Sequence, residues 1–586
     1  FMPKYSTLRT AVSAVALFAA AVFSSAGAND KTQYIPVGFA NISVSGELNS
    51  RVLRNMARLE DERYRPDHVF LTEQQSGYWP GDTEGRTILG LVMDAQASGR
   101  EPKYLSEIIR RIPSHLNERG YFGTIHKDSL DEQQLSGNGW VLRGLCEYYR
   151  WKNDKTVLPI IRSISENLFV EGRDIMLQYP IDPAGRSDTK GGASGSLGET
   201  IGRWRLSTDV GCVFIGMDGL IQAYEVTRNK KLKPVIDELV DLFLKVDVVG
   251  IKAQTHATLT ALRGLIRYAG ITGNKELLGE VEKRWQYYRQ YGMTENYANY
   301  NWFRRYETWT EPCAIVDSYI VAAQLWQLTG KAAYRDDAEM IYYNAICHGQ
   351  RANGGFGTDK CPGKGFGQPC VAVSDNEAWW CCTMRGGEGL GRAVEYAAFR
   401  RGNEVALPFY HNAEITVPFG RKEVLCIQET TSYPFDNRVD IRVISAPKRD
   451  VTLSLAHASW MENFKVTLNG KTPLETSVAE GMASITMKLK AGDRIQVAFD
   501  MKPRIESTLN SENNESGSFK VFCGPLLLAA QDACAAGFAR TSAFESLGGN
   551  MFLVEGTDVI LSPLYHLMEQ KVDNTAQPPY ARRVVF

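Results

Sequence analysis

From about residue 85 to 400, apolar positions recur three and four residues apart, the spacing that lays one side of a helix against a core. Each apolar run ends in a short polar turn, after which a Lys or Tyr opens the next. Such turns fall at Ala97-Ser98-Gly99, Trp151-Lys152-Asn153-Asp154-Lys155, Val226-Thr227-Arg228-Asn229-Lys230, Ile271-Thr272-Gly273-Asn274-Lys275 and Leu328-Thr329-Gly330-Lys331. They lie roughly 45 to 75 residues apart, about one or two helical hairpins each, and the interval is too irregular for a strict solenoid. Five or six such hairpins suit a closed (α/α)₆ barrel; an open helical stack is the alternative.

After about residue 400 the period changes from helical to alternating. Glu414-Ile415-Thr416-Val417, Val439-Asp440-Ile441-Arg442-Val443, Val451-Thr452-Leu453-Ser454-Leu455 and Ser484-Ile485-Thr486-Met487 read as strands. Asn469-Gly470 after Val466-Thr467-Leu468 is a hairpin turn. The expected architecture is therefore mainly α with a β domain: an (α/α)₆ barrel over 29–400, followed by an antiparallel β-sandwich over 401–586. Two segments interrupt the pattern. Pro183 to Gly198 is rich in Gly and Ser, either a loop rimming the barrel cavity or a plain insertion, and Ser507 to Ser518 is a polar loop.

The first residues form a separate unit. Lys4 and Arg9 precede an apolar run from about Ala11 to Phe23, and Ser24-Ser25-Ala26-Gly27-Ala28 follows. Basic flank, short apolar core and small-residue cleavage site predict a bacterial-type secretory signal over 1–28 and an exported, periplasmic or secreted product. The run is too short for a membrane span, and no membrane partner is expected once it is removed.

Overall charge narrows the function classes. The 66 Lys and Arg nearly balance the 67 Asp and Glu in a chain of 586 residues, so there is no basic field to hold a nucleic acid. Aromatic residues make up 10% of the chain, which fits core packing and also stacking on sugar rings. The oligomeric state is left open.

The 11 cysteines are the most informative residues. Cys361 and Cys370 bracket a Gly/Pro-rich loop and are spaced for a disulfide in an oxidising compartment. Most of the others lie in apolar runs and read as buried thiols. Three stand apart. Cys381-Cys382 follows Trp379-Trp380, and Cys313 sits in Glu311-Pro312-Cys313. With Glu311 they offer three thiolates and a carboxylate, a tetrahedral ligand set for zinc. Ile315, Val316, Tyr319, Ile320 and Ala323 recur at helical spacing up to Gly330, and Pro312 suits a first helical turn. Glu311 and Cys313 thus sit at a helix N-terminus, where the backbone field favours anions. Adjacent cysteines point apart on regular structure, so Cys381 and Cys382 can share one ion only from an irregular turn. A vicinal disulfide or two unrelated thiols are the alternatives.

Glu-Pro-Cys at 311–313 together with Cys381-Cys382 resembles the zinc–cysteine β-L-arabinofuranosidases of glycoside hydrolase family 127. Thr255-His256-Ala257 is similar to that family's helix start whose His touches the sugar, and Gly524-Pro525-Leu526 to a turn in its sandwich. Glu295 lies 16 positions before Glu311, where the family carries an acidic residue. The resemblance implies an exo-acting, retaining glycoside hydrolase. Zinc would be held by Glu311, Cys313, Cys381 and Cys382; Cys381 would be the nucleophile and Glu295 the acid and base, in an apolar pocket or close to Glu311. His256 would bind the sugar.

The departures concern sugar reading. Trp140 and Val213 stand at two earlier positions where family members carry His, and Thr383-Met384-Arg385 replaces a Pro-rich stretch. Arg385, Arg304 and Arg305 supply cations that could bind a carboxylate. The expected substrate is therefore a terminal β-L-arabinofuranose, or the acidic sugar aceric acid of rhamnogalacturonan II, on a plant cell-wall oligosaccharide or glycan side chain. Expected substrate-binding residues are His256, Arg385 and Trp140. Two other readings compete: a carboxylate-only toroid hydrolase or polysaccharide lyase with structural cysteines, and a non-catalytic glycan-binding protein.

Overall fold

A computed structural model describes residues 33–70, 79–186, 195–361, 363, 365–366, 370–571 and 581–586. The leader expected over 1–28 lies outside the described residues, as do positions 187–194 of the Gly/Ser-rich segment.

Two rings of helices build the barrel. The outer ring comprises α1 (Gly46–Leu59), α3 (Leu105–Arg111), α5 (Leu158–Ile164), α7 (Leu232–Lys245), α9 (Glu276–Tyr291) and α11 (Ala332–Ile341). The inner ring comprises α2 (Asp82–Ser98), α4 (Glu132–Lys152), α6 (Val213–Thr227), α8 (Thr255–Thr272), α10 (Pro312–Thr329) and α12 (Cys382–Glu395). Each inner helix packs on the next, and α12 returns to α2, so the ring closes. The open stack is excluded.

Sequence pattern separates the rings. Outer helix α7 buries Leu232, Val235, Ile236, Leu239, Val240 and Phe243, a single apolar stripe. Inner helices are covered on all sides: α4 is buried from Glu132 through Tyr148, and α10 from Pro312 through Ala323. Their close approach requires residues without side chains. A Cβ on Gly85 of α2 would stand 2.3 Å from the backbone of Trp140 and Val141 in α4. The polar turns legible in the sequence end these helices in the left-handed conformation, with φ of +67° at Gly99, +73° at Gly273 and +69° at Gly330.

The β half is a sandwich plus a third sheet. One sandwich sheet orders Thr472–Leu474, Glu462–Leu468, Arg494–Asp500, Arg438–Ser445, Val424–Thr431, Ala413–Pro418 and Ile42–Val44. The other orders Ile35–Pro36, Phe399–Arg401, Glu404–Leu407, Val451–Ala456, Met482–Met487 and Ser477–Ala479. Both take an edge strand from the segment before the barrel. One pairing departs from the antiparallel expectation: Glu404–Leu407 runs parallel to Val451–Ala456, because the chain crosses to the facing sheet between them. Asn469 and Gly470, with φ of +54° and +69°, make the expected hairpin turn. The third sheet spans Pro503–Ser507 to Ile560–Pro563. Its polar loop returns to the barrel, where Asn513 Nδ2 donates to Tyr300 Oη at 2.6 Å.

Candidate metal centre and active site

Residues at the starts of α2, α8, α10 and α12 meet at one end of the barrel. Glu311 is the N-cap of α10, and Cys313 lies in its first turn. Cys381 is the N-cap of α12 with φ −147° and ψ −55°, and Cys382 is its first helical residue. That break in regularity is the irregular turn the adjacent cysteines need. The Sγ atoms of Cys381 and Cys382 are 3.2 Å apart, those of Cys313 and Cys382 3.8 Å. A disulfide, at about 2 Å, is excluded for either pair. All three sulfurs lie within 4.8 Å of one another, and His256, Glu311 and Cys313 form a second group within the same limit.

The spacing of Cys313 and Cys382 fits a tetrahedral ion, while Glu311 is grouped with Cys313 and His256 and not with Cys381 or Cys382. With Zn–S bonds near 2.3 Å, the edge between two sulfurs of a regular tetrahedron is about 3.8 Å, the separation seen for Cys313 and Cys382. Cys313 and Cys382 are buried, while Cys381 keeps part of its surface open. Of the three residues, Cys381 is the one that is not fully enclosed.

Charge around the sulfurs is uneven. Arg86 Nη1 donates to Cys313 Sγ at 3.1 Å, and its Nε is held by Asp82 Oδ2 at 2.8 Å. Burial alone would raise the Cys313 thiol; hydrogen bonds from Cys381 and Cys382, with the Arg86 and His256 charges, pull it well below its usual value. The hydrogen bonds to Cys313 and Cys382, together with burial, push Cys381 up. Burial also pushes the Asp82 carboxyl up, against the pull of Arg86.

Glu311 is fixed from several sides. Its backbone N–H donates to Asn299 Oδ1 at 2.8 Å, Gln254 Nε2 donates to its carboxylate at 3.3 Å, and His256 Nδ1 lies 3.2 Å from Oε1. His256 is 1% exposed and stacks on Trp140 at 5.8 Å. It orients a ligand carboxylate from within the barrel.

Other expected residues stand elsewhere. Arg385 has no exposed surface, and its guanidinium is engaged by Asp317 and Glu388. It cannot reach a sugar carboxylate. Trp140 is equally enclosed, with Arg86, Arg143 and Arg385 over its ring at 4.2, 4.3 and 4.7 Å, so it offers no stacking face. Arg304 pairs with Glu512, and Arg305 with Glu307. The apolar pocket expected for Glu295 is absent. Its Oε2 accepts from Leu509 N at 2.9 Å and faces Lys520 Nζ at 3.0 Å; Oε1 accepts from Asn510 N at 3.1 Å and Asn514 Nδ2 at 2.8 Å. Among the described residues, no bond joins it to Glu311 or the sulfurs. Cys361 and Cys370 are free thiols rather than a disulfide.

Reading from the sequence missed Arg86, Asp82 and Asp317. Their signal is present: Asp82 and Arg86 are an i,i+4 pair opening an inner helix, and Asp317 is a lone charge in the apolar run of α10.

Comparison with known proteins places this arrangement. The family model described as Beta-L-arabinofuranosidase, GH127 middle domain, matches residues 404–501. That stretch resembles the middle domain of glycoside hydrolase family 127. A solved GH127 β-arabinofuranosidase shares its fold with a TM-score of 0.67 and 16% identity, over 95% of this chain and 98% of that one. A GH127 β-L-arabinofuranosidase from Geobacillus stearothermophilus T6 also gives 0.67, with 14% identity over 93% and 99%. No curated protein matches the sequence. At such identities the structural likeness speaks for the fold, an (α/α)₆ barrel followed by a β-sandwich. The family match lies wholly within the sandwich.

Proposed function

We propose that this chain is an exo-acting, retaining hydrolase that removes a terminal β-L-arabinofuranose from a plant cell-wall glycan, and that it works outside the bacterial cytoplasm. The observation that carries the proposal is the convergence of Cys313, Cys382 and the partly open Cys381 at the inner-helix starts, beside Glu311. Glu311 and the three cysteines would hold zinc. Bound zinc would supply charge that keeps the sulfurs as thiolates and fixes Cys381 in place.

Cys381 Sγ attacks the anomeric carbon, forming a C–S bond as the glycosidic C–O bond breaks. The leaving oxygen takes a proton from a carboxyl group of this chain. Water then attacks the same carbon and gives its proton to that carboxylate, and the sulfur departs as a thiolate, restoring the original anomeric configuration. The family resemblance assigns the proton to Glu295, but both its oxygens are occupied by Lys520 and the 509–514 loop. A second reading favours Asp82. Its Oδ1 has no hydrogen-bond partner among the described residues, burial raises its pKa, and its Oδ2 holds the arginine that touches Cys313. The engagement of Arg385, Arg304 and Arg305 by carboxylates favours a neutral sugar over aceric acid.

The test is hydrolysis of an aryl β-L-arabinofuranoside by wild type, Cys381→Ser, Asp82→Asn and Glu295→Gln. The proposal expects turnover by wild type and none by Cys381→Ser. Near-normal turnover by Cys381→Ser contradicts it. Whichever carboxyl variant loses more activity identifies the proton donor, after folding has been matched by circular dichroism.

A further inference from the structure

Arg86 is the one guanidinium bonded to a sulfur of the cluster among the described residues, and it bonds to Cys313 alone. Its position is tightly defined. Asp82 grips Nε, Trp140 lies under the guanidinium at 4.2 Å, and the side chain is almost wholly buried. The direction of Nη1 toward Cys313 is therefore fixed by packing rather than by chance.

The charge balance gives this contact a purpose. Three thiolates and one carboxylate carry four negative charges, and a zinc ion returns two. A buried site with two surplus negative charges is costly unless a cation or hydrogen-bond donor lies against it. Donation from a guanidinium also withdraws electron density from the sulfur that accepts it, which makes that sulfur a poorer nucleophile and a lasting ligand.

We infer that Arg86 is a positioning residue that divides the work among the three sulfurs: it holds Cys313 as a permanent ligand and leaves Cys381 as the sulfur free to react. This rests on the metal-site reading above. Cys381 is partly open, and the hydrogen-bond partners of its sulfur among the described residues are the other two sulfurs of the cluster. Cys382 is buried beneath it in the first turn of α12. The two roles thus follow from where the one guanidinium points.

The test uses metal alone, without substrate. Wild type, Arg86→Lys and Arg86→Met are stripped and titrated with zinc against a competing chelator, then loaded with cobalt(II) for its sulfur-to-metal charge-transfer band. The inference expects Arg86→Met to bind zinc roughly 10- to 100-fold more weakly, as loss of a group that orients a ligand does, and to shift the cobalt band; Arg86→Lys restores part of both. Circular dichroism of the stripped variants controls for folding. Affinity and band unchanged in Arg86→Met overturn the inference while leaving the metal site standing. A wild type that binds neither metal overturns the metal-site reading itself.

Discussion

Cys313 and Cys382 are 69 positions apart in the chain, and their sulfurs stand 3.8 Å apart. They come together because α10 and α12 are neighbours in the inner ring and both begin at the same end of the barrel. A cluster built this way depends on the register of two helices. Anything that shifts the inner ring should disturb it.

Gly85 offers a test of that dependence. Its missing Cβ lets α2 lie against the Trp140–Val141 backbone, and a methyl group there has only 2.3 Å. Gly85→Ala should destabilise by at least about 1–3 kcal/mol and lower zinc affinity as well. Gly279, in outer helix α9, has no neighbour within 4 Å of its virtual Cβ. Gly279→Ala should instead stabilise by about 0.5–1 kcal/mol through helix propensity. Urea unfolding of both variants checks the contrast.

The strand and helix halves are joined by a buried ion pair. Lys520 of the third sheet has no exposed side-chain surface and lies 3.0 Å from Glu295, which is 3% exposed. Removing one partner leaves a buried charge without its counterpart. Lys520→Met should therefore cost about 3–5 kcal/mol, and adding Glu295→Gln should recover a large part of the loss. A double-mutant cycle by denaturant unfolding measures the coupling. A single-variant cost below about 1 kcal/mol would show the pair to be incidental.

Acid stability should report two other buried carboxylates. Arg392, Arg150 and Arg267 outweigh burial at Glu147 and hold it down to about 2; Arg351 and His348 do the same for Asp359. Both folded values lie below the unfolded ones, so their stabilisation is complete above about pH 5. It is lost as pH falls from about 4 through 2, by roughly 2–3 kcal/mol for each group. Glu147→Gln and Asp359→Asn should each flatten the stability–pH curve in that window while lowering stability at pH 7.

The helical period, the turns closing at Gly99, Gly273 and Gly330, and the alternating strands were legible because each is a local pattern. So was the meeting of Cys313, Cys381 and Cys382, whose residue types are unusual enough to read together. The roles of Trp140 and Arg385 were not. A stripe of apolar residues tells which side of an outer helix is buried, but an inner helix is covered on every side, and periodicity cannot say whether a polar residue faces the cavity mouth or the sealed barrel interior. The surroundings of Glu295 were not legible for a different reason. Its partners come from 509–520, more than 200 positions later, and spacing before Glu311 carries no trace of them. Arg86 fell between these cases: the i,i+4 pair with Asp82 was visible, its aim at a sulfur was not.

Chelation should separate metal from fold. If zinc ties α10 to α12, removing it should lower the thermal midpoint, and adding it back should restore the midpoint and raise it with the logarithm of free metal concentration. Calorimetry of wild type and of Cys313→Ala, with and without chelator, checks this; the variant should show no response.

The central claim is that Glu311, Cys313, Cys381 and Cys382 form one metal centre. The most direct measurement is zinc per chain in protein purified without added metal or chelator, by elemental analysis alongside a count of free thiols. The account predicts a ratio near one, falling toward zero in Cys313→Ala. A ratio near zero in the wild type, with no other metal and with the three thiols free to react, would contradict it and return the cysteines to a structural role.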